Sequence, residues 1–279
     1  MKPSSLFQLG HYSLAWVRDF YDQAGVWWGR DPQAAGVHQA RVATIARLCG
    51  AGPKRILELG AGPGATAAAL ADAGHAVVAV EFSPSRAQFA RELAQLPHKG
   101  RLTVVEADFY TVALDQRFDL VCCWETFGIG ADADQRRLLK RIAGEWLEPH
   151  GCALLDVYHP MRPMREAGTE RRLQPLAGVP GSVEMINRCF FDPLHGRWLD
   201  EWQPTADPSQ ALAQSIRCYT PADFALLLEG CGLVVQRMEV EGQALALEPG
   251  KITTSGPLLD AWSYLVQLAP DPGAAKQAF

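Results

Sequence analysis

Three carboxylates, Glu58, Glu81 and Asp108, each end or interrupt an apolar run, and a loop with glycines on alternate positions lies between the first two. A carboxylate buried without a partner is costly, so acids in such places imply a ligand that meets their charge. The loop "GAGPG", residues 60–64, follows the strand-like "RILELG" and precedes a helical stretch over residues 65–73. Its glycines let backbone approach a ligand closely, with the helix N-terminus aimed at that ligand. Glu81 lies 21 residues after Gly60 and ends the next apolar run, where an acid accepts from both hydroxyls of a ribose. Asp108, in "EADFY", ends the run after that and is placed to accept from an exocyclic adenine amine. Read loosely, Gly60, Gly62 and Ala65 also fit the dinucleotide fingerprint G-x-G-x-x-A. Glu58 moves the choice: two residues before the first glycine it would repel a pyrophosphate, and it suits a ligand bearing an ammonium group.

The elements that must position these groups alternate in type. The runs "RILELG", "AVVAVE", "LTVVEAD", "FDLVCCW" and "CALLDVY" are β-branched and nearly continuous in hydrophobicity, as parallel strands covered on both faces are. Helical spacing fills 65–73, 85–96 and 133–146, with Ser83 and Pro84 suited to the N-cap and first turn of the middle one. Such alternation predicts an open, doubly wound α/β sheet. After Pro160 the rhythm changes. Residues 160–181 read as a loop rich in Pro, Gly and Arg; "SVEMINRCFFD", "RWLDEWQPTA" and "ALAQSIRCYT" then read as three antiparallel strands. "TPADFALLLEGCG" restores a helix with Thr220 as N-cap, and "LVVQRMEVEG" and "AWSYLVQLAP" close the chain as strands. The expected division is an N-terminal segment over 1–50, a ligand-binding core over 51–159, an antiparallel insertion over 160–218 and the rest of the core sheet over 219–279.

Composition bounds the partners. Charged residues make up 20% and hydrophobic residues 48% of 279 residues, an ordinary globular balance, and the net charge is −5. That charge argues against nucleic-acid and anionic-membrane partners, which call for a clustered basic face. The nearest cluster, Arg162, Arg165, Arg171 and Arg172, has Glu166 and Glu170 among it and reads as a solvated rim. The seven cysteines are scattered, with no CxxC and no Cys/His ligand spacing, so no metal is expected and a reducing, cytoplasmic setting fits best. Residues 1–30 lack a signal-peptide pattern, and no apolar run approaches membrane-spanning length.

At this point the chain resembles the class I S-adenosylmethionine-dependent methyltransferases. The resemblance is carried by "LELGAGPG", "VVAVEFS" and "VVEADF" as the first three motifs, with "FDLVCCWETFG" as a fourth strand and "LEPHGCALLDVYHP" as the turn and fifth strand. It implies a seven-stranded, mostly parallel Rossmann-like sheet with an antiparallel last strand, and S-adenosylmethionine as cofactor. It further implies that Glu58 and the backbone of Gly60, Ala61, Gly62 and Gly64 surround the methionine portion. Glu81 would hold the ribose, Phe82 the adenine face, and Asp108 with the Phe109 backbone the adenine edge. Trp124 and Glu125 would face the sulfonium and the methyl acceptor.

Methyl transfer from a sulfonium is a displacement at carbon that needs alignment and dryness more than acid–base machinery. A base matters for an oxygen nucleophile or a protonated amine. Glu125, after the fourth strand, and His159, ending the fifth, are the candidates at the strand ends, with His159 titrating in the right range. "YHP" is equally a plain strand exit. Tyr21, Trp28 and His38 belong to an aromatic N-terminal segment that either packs onto the sheet edge or overhangs the ligand. Together with the insertion it would cover the strand ends, which favours a small acceptor of aromatic or heterocyclic type. An "NPPY"-type signature is absent, its place taken by "CWETFG", which lowers the nucleic-acid reading further. Trp198 and Trp202 in the insertion are compatible with pairing across a homodimer axis. The alternatives left open are a non-catalytic protein that binds the same cofactor and a nicotinamide-dependent oxidoreductase, which leaves Glu58 and Asp108 unexplained.

Overall fold

A computed structural model describes residues 12–28, 36–177, 179, 181–245 and 256–273. The first strands follow the expected order: β1 (Arg55–Leu59), β2 (Ala76–Glu81), β3 (Arg101–Glu106), β4 (Phe118–Phe127) and β5 (Leu147–Tyr158). Helices α3 (Ala65–Asp72), α4 (Pro84–Ala94) and α5 (Asp132–Arg141) connect them, the last continuing through a π-helical turn to Trp146. After β5 come α7 (Pro221–Leu228), β10 (Leu233–Val240), a two-residue β11 (Gln243–Ala244) and β12 (Ser263–Pro270). The sheet runs β11-β10-β12-β5-β4-β1-β2-β3. Strands β1 to β5 pair in parallel, and β12 lies antiparallel between β5 and β10. The seven expected strands are thus present with the last one reversed, and β11 adds a short edge.

Period-two alternation distributes the apolar side chains over two faces. Ile56, Leu120, Cys122 and Leu154 pack with α3 and with α2 (Val37–Cys49), whereas Leu57, Val121, Cys123 and Leu155 pack with α5 and α7. Continuous apolar runs were the signature of this arrangement, since both faces are covered. The caps behave as their residue types dictate: the Ser83 hydroxyl accepts the Arg86 N–H at 3.3 Å, and Thr220 forms a capping box with Asp223.

A second, separate sheet of order β6-β7-β8-β9 is antiparallel throughout. Its strands are β6 (Glu170–Leu173), β7 (Met185–Asp192), β8 (Arg197–Pro204) and β9 (Leu212–Arg217). The last three match the expected trio. The first is a correction, because it and α6 (Met161–Glu166) occupy residues read as loop. Strand β6 is exposed all along its length, so it carries no apolar alternation to betray it. The arginines around it are engaged locally: Arg162 and Arg171 with Glu166, Arg165 with Asp260, and Arg172 with Glu184.

Helix α1 (Val17–Trp28) corrects another expectation. Its buried Phe20 and Trp27 do not pack on the edge of the main sheet. They cluster with Met185, Trp202 and Leu212 of the second sheet, while Trp198 stacks between Tyr158 and Trp262 at 5.4 and 4.9 Å. Both insertion tryptophans therefore make aromatic contacts within the chain and stay partly exposed. No helix among the described residues is long and apolar enough to cross a membrane.

Candidate active site

The glycine loop is built as its composition requires. Gly60 and Gly64 have φ of 68° and 83°, in the left-handed region, and a Cβ at either would collide with neighbours. At Gly60 it would lie 2.7 Å from the Thr126 side chain; at Gly64, 2.6 Å from the Ala90 Cβ, so α3 and α4 can pack closely only with glycine there. The N–H groups of Gly60 and Ala61 both donate to the Val80 carbonyl, at 2.9 and 3.0 Å. The Glu81 carboxylate accepts from the N–H of Gly62 and of Ser83, each at 2.7 Å, and so ties the loop to the end of β2.

Above the carboxyl ends of β1, β2, β4 and β5 lies a cavity of about 310 Å³. The main sheet and its loops contribute Glu58, Gly60, Ala61, Gly62, Pro63, Glu81, Phe82, Phe109, Trp124, Glu125, Thr126 and Tyr158 to its lining. Tyr21 and Trp28 of α1, His38 and Arg41 of α2, Arg86 of α4 and Gln214 of β9 complete it. Main sheet, N-terminal helices and second sheet all contribute, in the place where open α/β sheets bind ligands.

Its electrostatics are dominated by buried acids. Burial pushes the Glu58 carboxyl up to about 8, against the pull of the Arg41 guanidinium, and its Oε2 is buried with no hydrogen-bond partner. Burial also raises Glu81, opposed by Arg86 and by the N–H groups it accepts from. Asp156, on the same face of β5 as Tyr158, is raised to about 7 by burial and lowered in part by Arg41. Arg41 therefore stands among three acids. Its guanidinium lies 5.3 Å over the Trp124 ring, 3.3 Å from Glu125 and 3.0 Å from the Thr66 hydroxyl, which His38 Nδ1 also meets at 2.8 Å. Glu125 itself has φ of 55° in the irregular end of β4, a strained conformation of the kind that collects at functional sites.

The structure brings most of the expected residues together. Glu58, Gly60, Ala61, Gly62, Glu81, Phe82, Phe109, Trp124 and Glu125 all line the cavity, as do Tyr21, Trp28 and His38. Gly64 lies beneath it, acting through helix packing. Two expectations are corrected. His159 is buried away from the cavity, with its N–H donating to the Trp262 carbonyl and its ring 6.2 Å from Tyr264. Adjacent strand residues face opposite ways, so Tyr158 takes the position that the sequence suggested for His159. Asp108 is not on the cavity wall either; its Oδ1 accepts the Tyr110 N–H at 2.8 Å, and Phe109 is the residue that reaches the wall. Arg41, Arg86, Thr126, Asp156, Tyr158 and Gln214 went unnoticed in the sequence. For Asp156 and Tyr158 the strand parity set by Cys122 and Leu154 was a usable signal; for Arg41, Arg86 and Gln214 there was none.

The fold and site together are a Rossmann-like sheet whose glycine loop is flanked by two buried acids, Glu58 with an unpartnered Oε2 and Glu81. The profile of a family described as a methyltransferase domain matches residues 56–151. The cypemycin N-terminal methyltransferase of a Streptomyces species is 33% identical over 123 residues, which are 42% of this chain; the match spans only about half of that protein, 47%. Among solved structures, the CcbJ methyltransferase from Streptomyces caelestis is similar with a TM-score of 0.69 at 20% identity, over 93% of this chain and 98% of that one. The glycopeptide N-methyltransferase MtfA, complexed with S-adenosyl-L-homocysteine, gives 0.55 at 25% identity, over 85% of this chain and 91% of that one. Residues 56–151 are thus similar to a methyltransferase domain, and the fold is shared with solved methyltransferases. The residues lining the cavity fit S-adenosylmethionine as cofactor: the orphaned Glu58 Oε2 suits an ammonium group, and the buried, unpartnered Trp124 Nε1–H is a donor in the same lining.

Proposed function

We propose that the protein transfers a methyl group from S-adenosylmethionine to a nucleophile on a small molecule, nitrogen ahead of oxygen or carbon. The single observation that carries this reading is the cavity itself, whose lining joins the buried acids Glu58 and Glu81 to the aromatic rings of Tyr21, Trp28 and Tyr158. A space of about 310 Å³ lined in part by α1 and β9 suits a compact acceptor and not a nucleic-acid duplex. The basic side chains nearest to forming a polyanion surface are paired with acids. Two of the relatives are named for an N-methyltransferase and an N-terminal methyltransferase, which favours nitrogen.

In this reading Glu58 holds the ammonium of the cofactor and Glu81 its ribose hydroxyls. Phe82 covers the adenine, and Phe109 borders its edge. Trp124 and Glu125 stand between cofactor and acceptor, and Tyr21, Trp28 and His38 meet the acceptor. When bound, the cofactor supplies a methyl group on positively charged sulfur. The chain's own contribution is to exclude water and align the nucleophile, which can supply several kcal/mol of the barrier. Arg41 must accommodate the cofactor's charges, because in the ligand-free protein it is the cation nearest Glu58, Glu125 and Trp124.

Calorimetry with S-adenosylmethionine and with NAD tests the cofactor, and tight NAD binding without sulfonium binding would defeat the assignment. Incubation with a crude metabolite extract then tests catalysis: S-adenosylhomocysteine should accumulate, whereas a protein that only binds the cofactor would yield none.

A further inference from the structure

One wall of the cavity is wired to the second sheet by buried polar groups. The Tyr21 hydroxyl donates to Gln214 Oε1 at 3.0 Å, and Gln214 Nε2 donates to Asp200 Oδ2 at 2.9 Å. Asp200, at 1% exposure, also accepts from Asn187 Nδ2 at 2.6 Å and from the indole N–H of Trp202. All three of its partners are nitrogen donors, and an ionised carboxylate can only accept. Burial raises Asp200 to about 6, opposed by these three donors, and a protonated carboxyl would find no acceptor among them, so the geometry calls for the ionised form. The direction of every bond is thereby fixed. Asp200 demands the nitrogen of Gln214, so the Gln214 oxygen faces Tyr21, and the Tyr21 proton points into the protein.

We propose that this Asp200–Gln214–Tyr21 relay presents Tyr21 to the cavity purely as a hydrogen-bond acceptor, and that it positions a primary or secondary amine as the methyl acceptor. The inference rests on the methyltransferase reading above and narrows its substrate class. With its hydrogen directed at Gln214, Tyr21 offers the cavity only oxygen lone pairs. A neutral amine that donates one N–H to them keeps its nitrogen lone pair for attack, and the product leaves as the N-methylated ammonium ion, whose proton goes to solvent after release. A hydroxyl acceptor would need its proton removed, and Tyr21 cannot take it, since it already holds its own. The aromatic rings of Trp28 and Tyr158 on the same cavity suit the apolar body that carries the amine. Asp200 and Gln214 act through Tyr21 and are positioning residues.

The test uses the full chain saturated with S-adenosylhomocysteine and two matched neutral probes, aniline as an N–H donor and benzonitrile as a pure acceptor, titrated by calorimetry. The wild type should prefer aniline by about tenfold or more. Tyr21→Phe should erase that preference. Asp200→Asn frees Gln214 to rotate and Tyr21 to donate, so it should move the preference toward benzonitrile, a reversal that general loosening of the site would not produce. Failure of aniline to bind, or a preference that survives in Tyr21→Phe, would overturn the proposal even if Asp200→Asn does not fold. A wild type that binds no S-adenosylhomocysteine at all fails the methyltransferase reading, and this inference with it. Binding of S-adenosylhomocysteine without amine preference fails this inference alone.

Discussion

Replacing Glu58 by Gln separates what the site costs the fold from what it gives the ligand. Burial holds the carboxyl at about 8 in the folded protein, against an ordinary 4.5. Between those pH values the folded chain binds more protons than the unfolded one, so stability falls as pH rises through that window. At about 1.4 kcal/mol per tenfold change in ionisation, the full loss above pH 8 is roughly 3–5 kcal/mol. Glu58→Gln has no proton to lose. It should match the wild type below about pH 4.5 and exceed its stability increasingly toward pH 9, as read by urea unfolding of the ligand-free protein along a pH series. Ligand binding should move the opposite way. Losing a charge-assisted hydrogen bond to the ammonium group should weaken S-adenosylmethionine and S-adenosylhomocysteine alike by about 1.5–3 kcal/mol. Methylthioadenosine, which has no amino group, should bind both proteins equally. A variant that is no more stable at pH 9, or one that loses methylthioadenosine along with the others, would refute the assignment of Glu58 to a buried ammonium site.

Gly64→Ala combines a left-handed φ with a Cβ 2.6 Å from Ala90 and should cost about 1–3 kcal/mol, whereas Gly62→Ala, whose nearest neighbour is the Arg86 Nη1 at 3.4 Å, should cost mainly backbone strain of about 1 kcal/mol; paired urea titrations measure the difference. Because His159 lies outside the cavity, His159→Gln should leave cofactor affinity and turnover within about twofold. Burial lowers the imidazole below 6.5, so the folded protein takes up fewer protons than the unfolded one as pH drops, and the acid-side loss of stability should be smaller in that variant. Asp108 lies off the cavity wall and accepts the Tyr110 N–H, so Asp108→Ala should cost stability by about 0.5–1.5 kcal/mol in urea unfolding and leave calorimetric cofactor affinity within about twofold.

The parts of this protein legible in its sequence are those set by local rules. The glycines at 60 and 64 stand where backbone conformation and close packing exclude other residues, and Glu58 and Glu81 interrupt apolar runs where a lone acid would be unstable. Apolar runs long enough to be buried on both faces gave away the parallel sheet, and Ser83 and Thr220 marked helix starts. Strand β6 escaped because every residue in it is exposed, and His159 misled because the type of a residue says nothing about which face of a strand it occupies.

What only the tertiary structure decided is the part of the cavity lining that lies outside the glycine loop. Tyr21, Arg41, Tyr158 and Gln214 come from α1, α2, β5 and β9, and Tyr21 meets Gln214 across 193 positions of chain. The cofactor loop is one continuous strand–turn–helix, so local sterics and charge write it into consecutive residues. The rest of the lining exists only once the second sheet and α1 fold back over the strand ends, and no spacing along the chain encodes a contact made by separate elements.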